Sequence, residues 1–461
     1  MRAANPTLLT ALAQSIIAGE PHPNAIELRL AATLGRPWRW LRPLSRRYAK
    51  RFSGQTQSQT QTQNPNQTQI QTHTRPRLRD VIRFLQTDPG FVRARARYGD
   101  QIRIAHWIAE PQQMLPVPAA QTWNLPALAS VSELALWLGV SLTDLDWFAD
   151  LKGLTRHHIS SPLAHYNPRI LPKKSGGLRL IEAPKSRLRA LQRQVLREIL
   201  DHIPPHPAAH GFVPGRSVKT FATPHVGQAV LLRIDLQNFF PSIRARRVQT
   251  IFRTLGYPEP VADRLGGLCT NVVPRRLWRA TSGISPETLR DATRIYSRPH
   301  LPQGAPTSPA LANLCAFRAD CRLDGLARSA GAAYSRYADD LAFSGPDTFR
   351  RSVQRFQLRA VAILLEEGFD VNFQKTRVMH QSSRQSLAGL VVNRRLNYPR
   401  RDFDQLKAIL TNCAQHGPET QNRAEHTSFQ EHLAGRVAYV ESINPEKGAR
   451  LRGIFDQISW T

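Results

Sequence analysis

Residues 333–344, AYSRYADDLAFS, set two adjacent carboxylates, Asp339 and Asp340, into an otherwise apolar run. Two short strand-like segments, 333-AYSRYA-338 and 341-LAFS-344, flank the acids and read as a hairpin with the acids at its turn. Neighbouring acids repel, and apolar surroundings make them costlier to ionise. A fold that buries this hairpin must bring a cation, a hydrogen-bond network or a metal to its tip. Alone, the Asp-Asp dipeptide is turn chemistry, because Asx side chains satisfy nearby backbone groups. Its surroundings decide.

A second segment narrows the choice. The run 229-AVLLRID-235 is continuously apolar, the mark of a strand buried on both faces, and it ends in Asp235. If the hairpin packs beside this strand, three carboxylates converge, and they cannot all ionise without compensating charge. Magnesium is a hard ion that takes oxygen ligands and keeps waters for phosphate oxygens. Two such ions ~4 Å apart serve in-line displacement at phosphorus.

The charge balance points the same way. The 461 residues carry 63 Lys+Arg against 34 Asp+Glu, a net charge of +29. That excess fits a polyanionic partner, most often nucleic acid, with a merely basic surface or an anionic membrane as alternatives. The four cysteines, Cys269, Cys315, Cys321 and Cys413, have no CxxC spacing, so neither a zinc site nor a disulfide framework is indicated and a reducing cytoplasm is expected. No apolar run approaches the ~20 residues of a membrane span. The stretch 8-LLTALAQSIIAG-19 repeats Leu9, Leu12 and Ile16 at helical spacing and reads as an amphipathic helix rather than a signal peptide.

The sequence divides into five segments. Residues 1–53 read as a helical extension ending in the basic aromatic segment 36-RPWRWLRPLSRRYAKR-51, which either grips nucleic acid through Arg contacts and Trp stacking or places Trp38 and Trp40 in a core. Residues 54–76 form a Gln/Thr low-complexity linker, so removing 1–76 is expected to leave the rest intact. Residues 77–165 are mostly helical, clearest at 131-VSELALWLGVSLTDLDWFADL-151, and lead into 166–395, where strands, turns and helices alternate. In that segment 170-ILPKKSGGLRLIEAP-184 is a hairpin signal, and 186–200 places Leu188, Leu191, Val195 and Ile199 on one helical face. Residues 396–461 are helical again. The expected class is α+β, an antiparallel sheet flanked by helical ends.

Further blocks carry a family resemblance. YADD within an apolar hairpin resembles the signature of reverse transcriptases, and 301-LPQGAPTSPALANL-314 is similar to the preceding segment in retron and group II intron enzymes. In the family's order stand 166-YNPRILPKKSGGLRLIEAP-184, 210-HGFVPGRSVKT-220, 233-RIDLQNFFPSI-243, 372-NFQKT-376 and 387-LAGLVVN-393. The likeness spans roughly residues 130 to 455 and is greatest to retron-type enzymes. Two positions depart from the retron pattern: Phe221 replaces an Asn, and Leu387-Ala388-Gly389 replaces Val-Thr-Gly.

The resemblance implies a right-hand polymerase with fingers, palm and thumb, extending a 3′-hydroxyl with deoxynucleoside triphosphates. It implies two Mg2+ ions on Asp235, Asp339, Asp340 and the carbonyl of Leu236. Phe240 matches the ring that excludes a ribose 2′-hydroxyl, with Phe239 the competing candidate. Lys173 and Arg179 are similar to the triphosphate-holding cations of the fingers, though a solvated basic hairpin reads the same. Gln303 matches a nucleotide-pocket residue, and Lys375 the lysine near the departing pyrophosphate. His225 reads as structural. In the thumb-like stretch 430–451, Arg436, Lys447 and Arg450 are candidates for phosphate contacts.

The implied partners are a structured non-coding RNA, its RNA–DNA product and an effector protein, in bacterial defence against phage. Two other readings keep the fold. One is an intron-like or abortive-infection enzyme without a dedicated RNA, and the other a non-catalytic RNA-binding protein.

Overall fold

The computed structural model describes residues 6–19, 21–52, 76–109, 113–154, 163–172, 177–279 and 285–460. It divides into two compact units, Met1–Gln113 and Met114–Thr461.

Among the described residues the regular elements of the first unit are helices: Pro6–Ile17, Pro23–Thr33, Leu41–Phe52, Leu78–Thr87 and Pro89–Tyr98. Leu9, Leu12 and Ile16 are buried, as their spacing requires. Trp38 is buried and Trp40 packs against the same core, so these rings are interior residues. That core runs from Leu8 to Ile102 and includes Val81, Phe84, Leu85 and Phe91. Segment 77–165 is therefore not one region, since its first two helices complete the core of residues 6–52. The Gln/Thr tract, apart from Pro76, lies outside the described residues.

This changes the expected truncation. Cutting after residue 76 removes three of the five described α-helices and exposes Val81, Phe84, Leu85 and Phe91, each worth about 1.5–3 kcal/mol of burial. Residues 77–461 should aggregate, whereas 114–461 should elute as a folded species and extend primers. Size-exclusion chromatography beside primer extension checks both, and a well-behaved 77–461 would contradict the shared core.

In the second unit, the stretch 131–151 forms two helices, Val131–Trp137 and Leu142–Ala149. Gly139 turns left-handed at φ +66°, and the Ser141 side chain accepts from the N–H of Asp144, starting the second helix afresh. Strands β1 (Tyr166–Pro172) and β2 (Leu178–Pro184) pair antiparallel as the fingers hairpin. The helix Ser186–Glu198 follows, burying Leu188, Leu191 and Val195.

The palm is a four-stranded antiparallel sheet. Its strands are β3 (Val230–Asp235), β4 (Ala333–Tyr337), β5 (Asp340–Gly345) and β6 (Arg377–His380), in the order β4-β5-β3-β6. Alternation sorts the side chains between two faces. Val230, Leu232, Ile234, Leu341 and Phe343 join the main core, to which the helices Ser308–Ser329 and Asp347–Glu366 contribute. Leu231 and Ala342 face a smaller cluster of Phe221, Leu387, Leu390 and Val392. Strands β7 (Ser386–Leu387) and β8 (Leu390–Val391) form a short hairpin within that cluster. Helices Arg400–His416, Phe429–Ile443 and Pro445–Phe455 close the chain around their own core, including Leu406, Leu433, Val437 and Leu451. Among the described residues no helix is long and apolar enough to cross a membrane.

Candidate active site

Register brings the acids together. Asp235 stands directly opposite Asp340 across β3 and β5, while β4 and β5 meet in a two-residue turn of Ala338 and Asp339. Leu236 donates its N–H to the Asp339 carbonyl at 2.9 Å, pinning the turn to the end of the central strand. Like charges directly opposite are destabilising, so the arrangement needs cations. Burial, reinforced by Asp235 and Asp340, raises the Asp339 carboxyl above its ordinary range. Burial also raises Asp340, although Arg233 pulls it back.

Two cations already sit in the site. Arg233 lies two residues before Asp235 and therefore on the same sheet face. It grips both oxygens of Asp340, through Nε and a terminal nitrogen, each at 2.7 Å. Lys375 places its Nζ 3.2 Å from both oxygens of Asp235, and its side chain is 47% exposed, free to turn outward. The carboxylates are thus not closed into a cage, and among the described residues no three acids, histidines or cysteines form a metal-holding group. The donor set is nonetheless all oxygen, the chemistry of a hard divalent ion. Asp235 and Asp339 are the acids best placed to offer it, and Asp340 would join on release from Arg233.

The other candidates are spread over the unit. Phe239 is buried against Phe369, whereas Phe240 is only partly buried and meets the exposed Phe212 at 6.1 Å. Of the two rings, Phe240 borders open space. Arg179 is exposed on β2, and Lys173 lies outside the described residues. Gln303 accepts the Glu182 N–H at 2.8 Å, so its turn is docked on the same hairpin strand as Arg179. Among the described residues no hydrogen bond or ion pair joins Arg179 or Gln303 to the acids. In the thumb, Arg450 is exposed and Arg436 partly so, but Lys447 sets its ammonium 5.0 Å above the Phe403 ring and is half-buried.

Several supporting residues are not among the candidates that the sequence singles out. Among the described residues Arg336 is the largest fully buried side chain, and it binds Asp320 through two nitrogens at 2.7 and 2.6 Å. Arg336 also donates to Asn313 and to the Ala338 carbonyl, each at 3.1 Å, and so holds the acidic turn from beneath. The turn needs holding, because Ala338 is left-handed at φ +56°. Gly211 packs directly on it, and a Cβ there would lie 2.7 Å from the Ala338 nitrogen. A second network joins fingers to palm: buried Glu182 meets His300 Nε2 at 2.9 Å and accepts from Asn271 at 2.8 Å. His300 Nδ1 faces the Arg298 carbonyl at 2.9 Å, so one proton is shared between Nε2 and Glu182.

His225 is structural, as its sequence context suggests. Its ring lies between Ser344 (2.6 Å) and Ser335 (2.7 Å), clamping β4 to β5. Ser335 donates to the Phe221 carbonyl, so Nε2–H donates to Ser335 and Nδ1 accepts from Ser344. Burial, with a smaller effect of His210, depresses the His225 pKa to about 3. The unfolded chain takes up a proton below about pH 6.5 that the folded ring refuses, so stability falls as pH drops from there towards about 3. We expect His225→Asn to flatten the loss of melting temperature between about pH 6.5 and 5 by one histidine's share. An unchanged slope would contradict the buried neutral ring.

The two departures from the retron pattern are neighbours. Phe221 and Leu387 share one buried cluster, with Ala388 packed against it at φ +44°. Apolar residues at both places suit each other, which explains them as packing.

An antiparallel palm with paired acids at a turn, a third acid opposite, a fingers hairpin and a helical thumb defines a template-dependent nucleotidyl transferase. The family model described as reverse transcriptase (RNA-dependent DNA polymerase) matches residues 171–403. The retron Mx65 reverse transcriptase of Myxococcus xanthus is 41% identical over 337 residues, covering 71% of this chain and 72% of that one. The retron Mx162 enzyme of the same organism is 36% identical, covering 71% and 67%. The retron Ec86 enzyme of Escherichia coli is 31% identical, covering 59% and 74%. Superposition on the solved foamy viral protease-reverse transcriptase covers 66% of this chain and 45% of that one, with 18% identity and a TM-score of 0.31. The chain belongs to the reverse transcriptase family, as a retron-type RNA-directed DNA polymerase.

Proposed function

We propose that this site copies a structured non-coding RNA into DNA, joining deoxynucleotides to a 3′-hydroxyl. The observation that carries the reading is Asp235 set opposite Asp340 with Asp339 in the adjoining turn. Two magnesium ions, held by Asp235, Asp339 and the Leu236 carbonyl, would supply activation of the attacking oxygen and stabilisation of the leaving group. Arg233 keeps Asp340 ionised and oriented until it is needed. Lys375 exchanges its hold on Asp235 for the departing pyrophosphate, as its exposure allows. Lys173 and Arg179 meet the triphosphate from the fingers, Gln303 lines the nucleotide pocket, and Arg436 and Arg450 contact backbone phosphates of the duplex. Lys447 adds to them after leaving Phe403.

The polymerase acts in the cytoplasm with an effector protein, in defence against phage. Kinship with retron enzymes supports this part of the reading. Primer extension on an RNA template with dNTPs and magnesium tests the chemistry, and failure of the wild type to extend would overturn it.

The sugar gate gives a sharper test. Phe240→Ala should admit ribonucleotides, since removing the ring opens room for a 2′-hydroxyl. The measurement is the ratio of kcat/KM for dCTP and CTP, expected to fall by an order of magnitude or more on the roughly 1–3 kcal/mol scale of pocket contacts. Relaxation only in Phe239→Ala would assign the gate to the other ring.

A further inference from the structure

The first unit carries 17 Lys/Arg against 6 Asp/Glu in residues 1–113, nearly twice the net charge per residue of 114–461, which has 46 against 28. Among its described residues ten basic side chains are exposed, but only one acid, Asp100. Arg47 is structural, bound to Asp88 through two nitrogens at 2.6 and 2.8 Å while Asp88 caps the helix Pro89–Tyr98. Exposed Arg42 and Arg46 stand four residues apart on the helix Leu41–Phe52, about 6 Å along it, with exposed Lys50 one step further. Exposed Arg39 stands just before them. Like charges at that spacing destabilise the helix that bears them.

We propose that this helix is a second nucleic-acid contact, gripping the phosphate backbone of a double-helical stem. Guanidinium forks match phosphate geometry. The rings that would stack on unpaired bases point inward: Trp38 is buried, and Tyr48 and Phe52 pack on Phe84. A backbone contact without stacking favours a duplex over a single strand. A membrane partner would call for exposed apolar anchors on the helix. The large exposed apolar residues described in this unit, Leu28 and Trp107, lie elsewhere. The surface is outside the matched residues 171–403 and does not rest on the active-site reading.

The test uses the full chain carrying Arg39→Glu, Arg42→Glu and Arg46→Glu. Fluorescence anisotropy measures binding to an RNA stem, a DNA duplex and single-stranded RNA of equal length, and sedimentation measures binding to phosphatidylserine vesicles. Affinity for a duplex should fall tenfold or more, and the slope of log K against log salt should become shallower by roughly three. Whichever duplex loses more identifies the stem. Extension of a saturating, preannealed primer–template should be unchanged, and a wild-type melting profile shows the variant is folded. Should the Glu variant misfold, the triple Arg→Gln variant decides, with the same direction and a smaller loss. Unchanged duplex affinity and salt slope in a folded variant overturn the proposal, as does loss confined to single strands or vesicles. A wild type that fails to extend primers, yet loses duplex affinity on substitution, separates failure of the active-site reading from failure of this one.

Discussion

Asp339→Asn should abolish DNA synthesis while leaving fold and RNA binding nearly unchanged. The amide keeps the shape of the turn but loses the charge that a divalent ion requires. Burial and the neighbouring Asp235 and Asp340 hold the Asp339 carboxyl above its ordinary range. A carboxyl raised on folding opposes the folded state wherever it is ionised, and the opposition fades as pH falls through the raised value. Removing it should therefore hold or raise the melting temperature of the metal-free protein at neutral pH. Magnesium should then raise the melting temperature of the wild type but not of Asp339→Asn, a readout independent of activity. Robust extension by the Asn variant would overturn the metal-ligand assignment.

The second large effect lies beneath the turn. Arg336→Met should cost ~3–5 kcal/mol, because it leaves the Asp320 carboxylate buried without a counter-ion, held only by the Tyr334 hydroxyl at 2.7 Å. It also frees the Ala338 carbonyl, so synthesis should fail even where the variant stays folded. The double variant Arg336→Met with Asp320→Leu should regain part of the stability, since it removes the uncompensated charge but leaves the buried Tyr334 hydroxyl without its acceptor. It should not regain synthesis, because the Arg336 grip on the Ala338 carbonyl beneath the turn stays lost. Urea midpoints beside primer extension separate the two roles. A double variant as unstable as the single one would show that the pair does more than neutralise itself.

The acids were legible because their chemistry is written locally. An apolar run ending in Asp235 and a hairpin carrying Asp339 and Asp340 need only one pairing, β3 with β5, to meet. What supports them was not legible. Arg336 and Asp320 are joined across a strand and a helix, and Glu182 and His300 are 118 residues apart, so no spacing rule finds either pair. The Arg233 grip on Asp340 could have been anticipated, because residues two apart share a sheet face and a long side chain reaches the diagonal neighbour.

Other misreadings have definite causes. The helical stretch 131–151 divides at Gly139 and Ser141, because a glycine and a capping serine together mark a stop and a restart. The Gln/Thr tract looked like a boundary between domains. Low-complexity composition says that a segment lacks a packable face, but not whether its two flanks share a core. Here they do, through Phe84 and Leu85 on one side and Leu44 and Tyr48 on the other. Phe239 and Phe240 stay ambiguous in sequence because one residue's rotation separates core from surface in so short a helix, Phe239–Ser242.

The nucleic acid that copurifies with the protein tests the central claim most directly. The protein is purified from its native host, treated to remove loosely bound nucleic acid, and the remainder is sequenced as RNA and as DNA. The expected result is one discrete RNA species together with DNA complementary to part of it, absent from protein carrying Asp339→Asn. Heterogeneous RNA with no complementary DNA in the wild type would contradict the account.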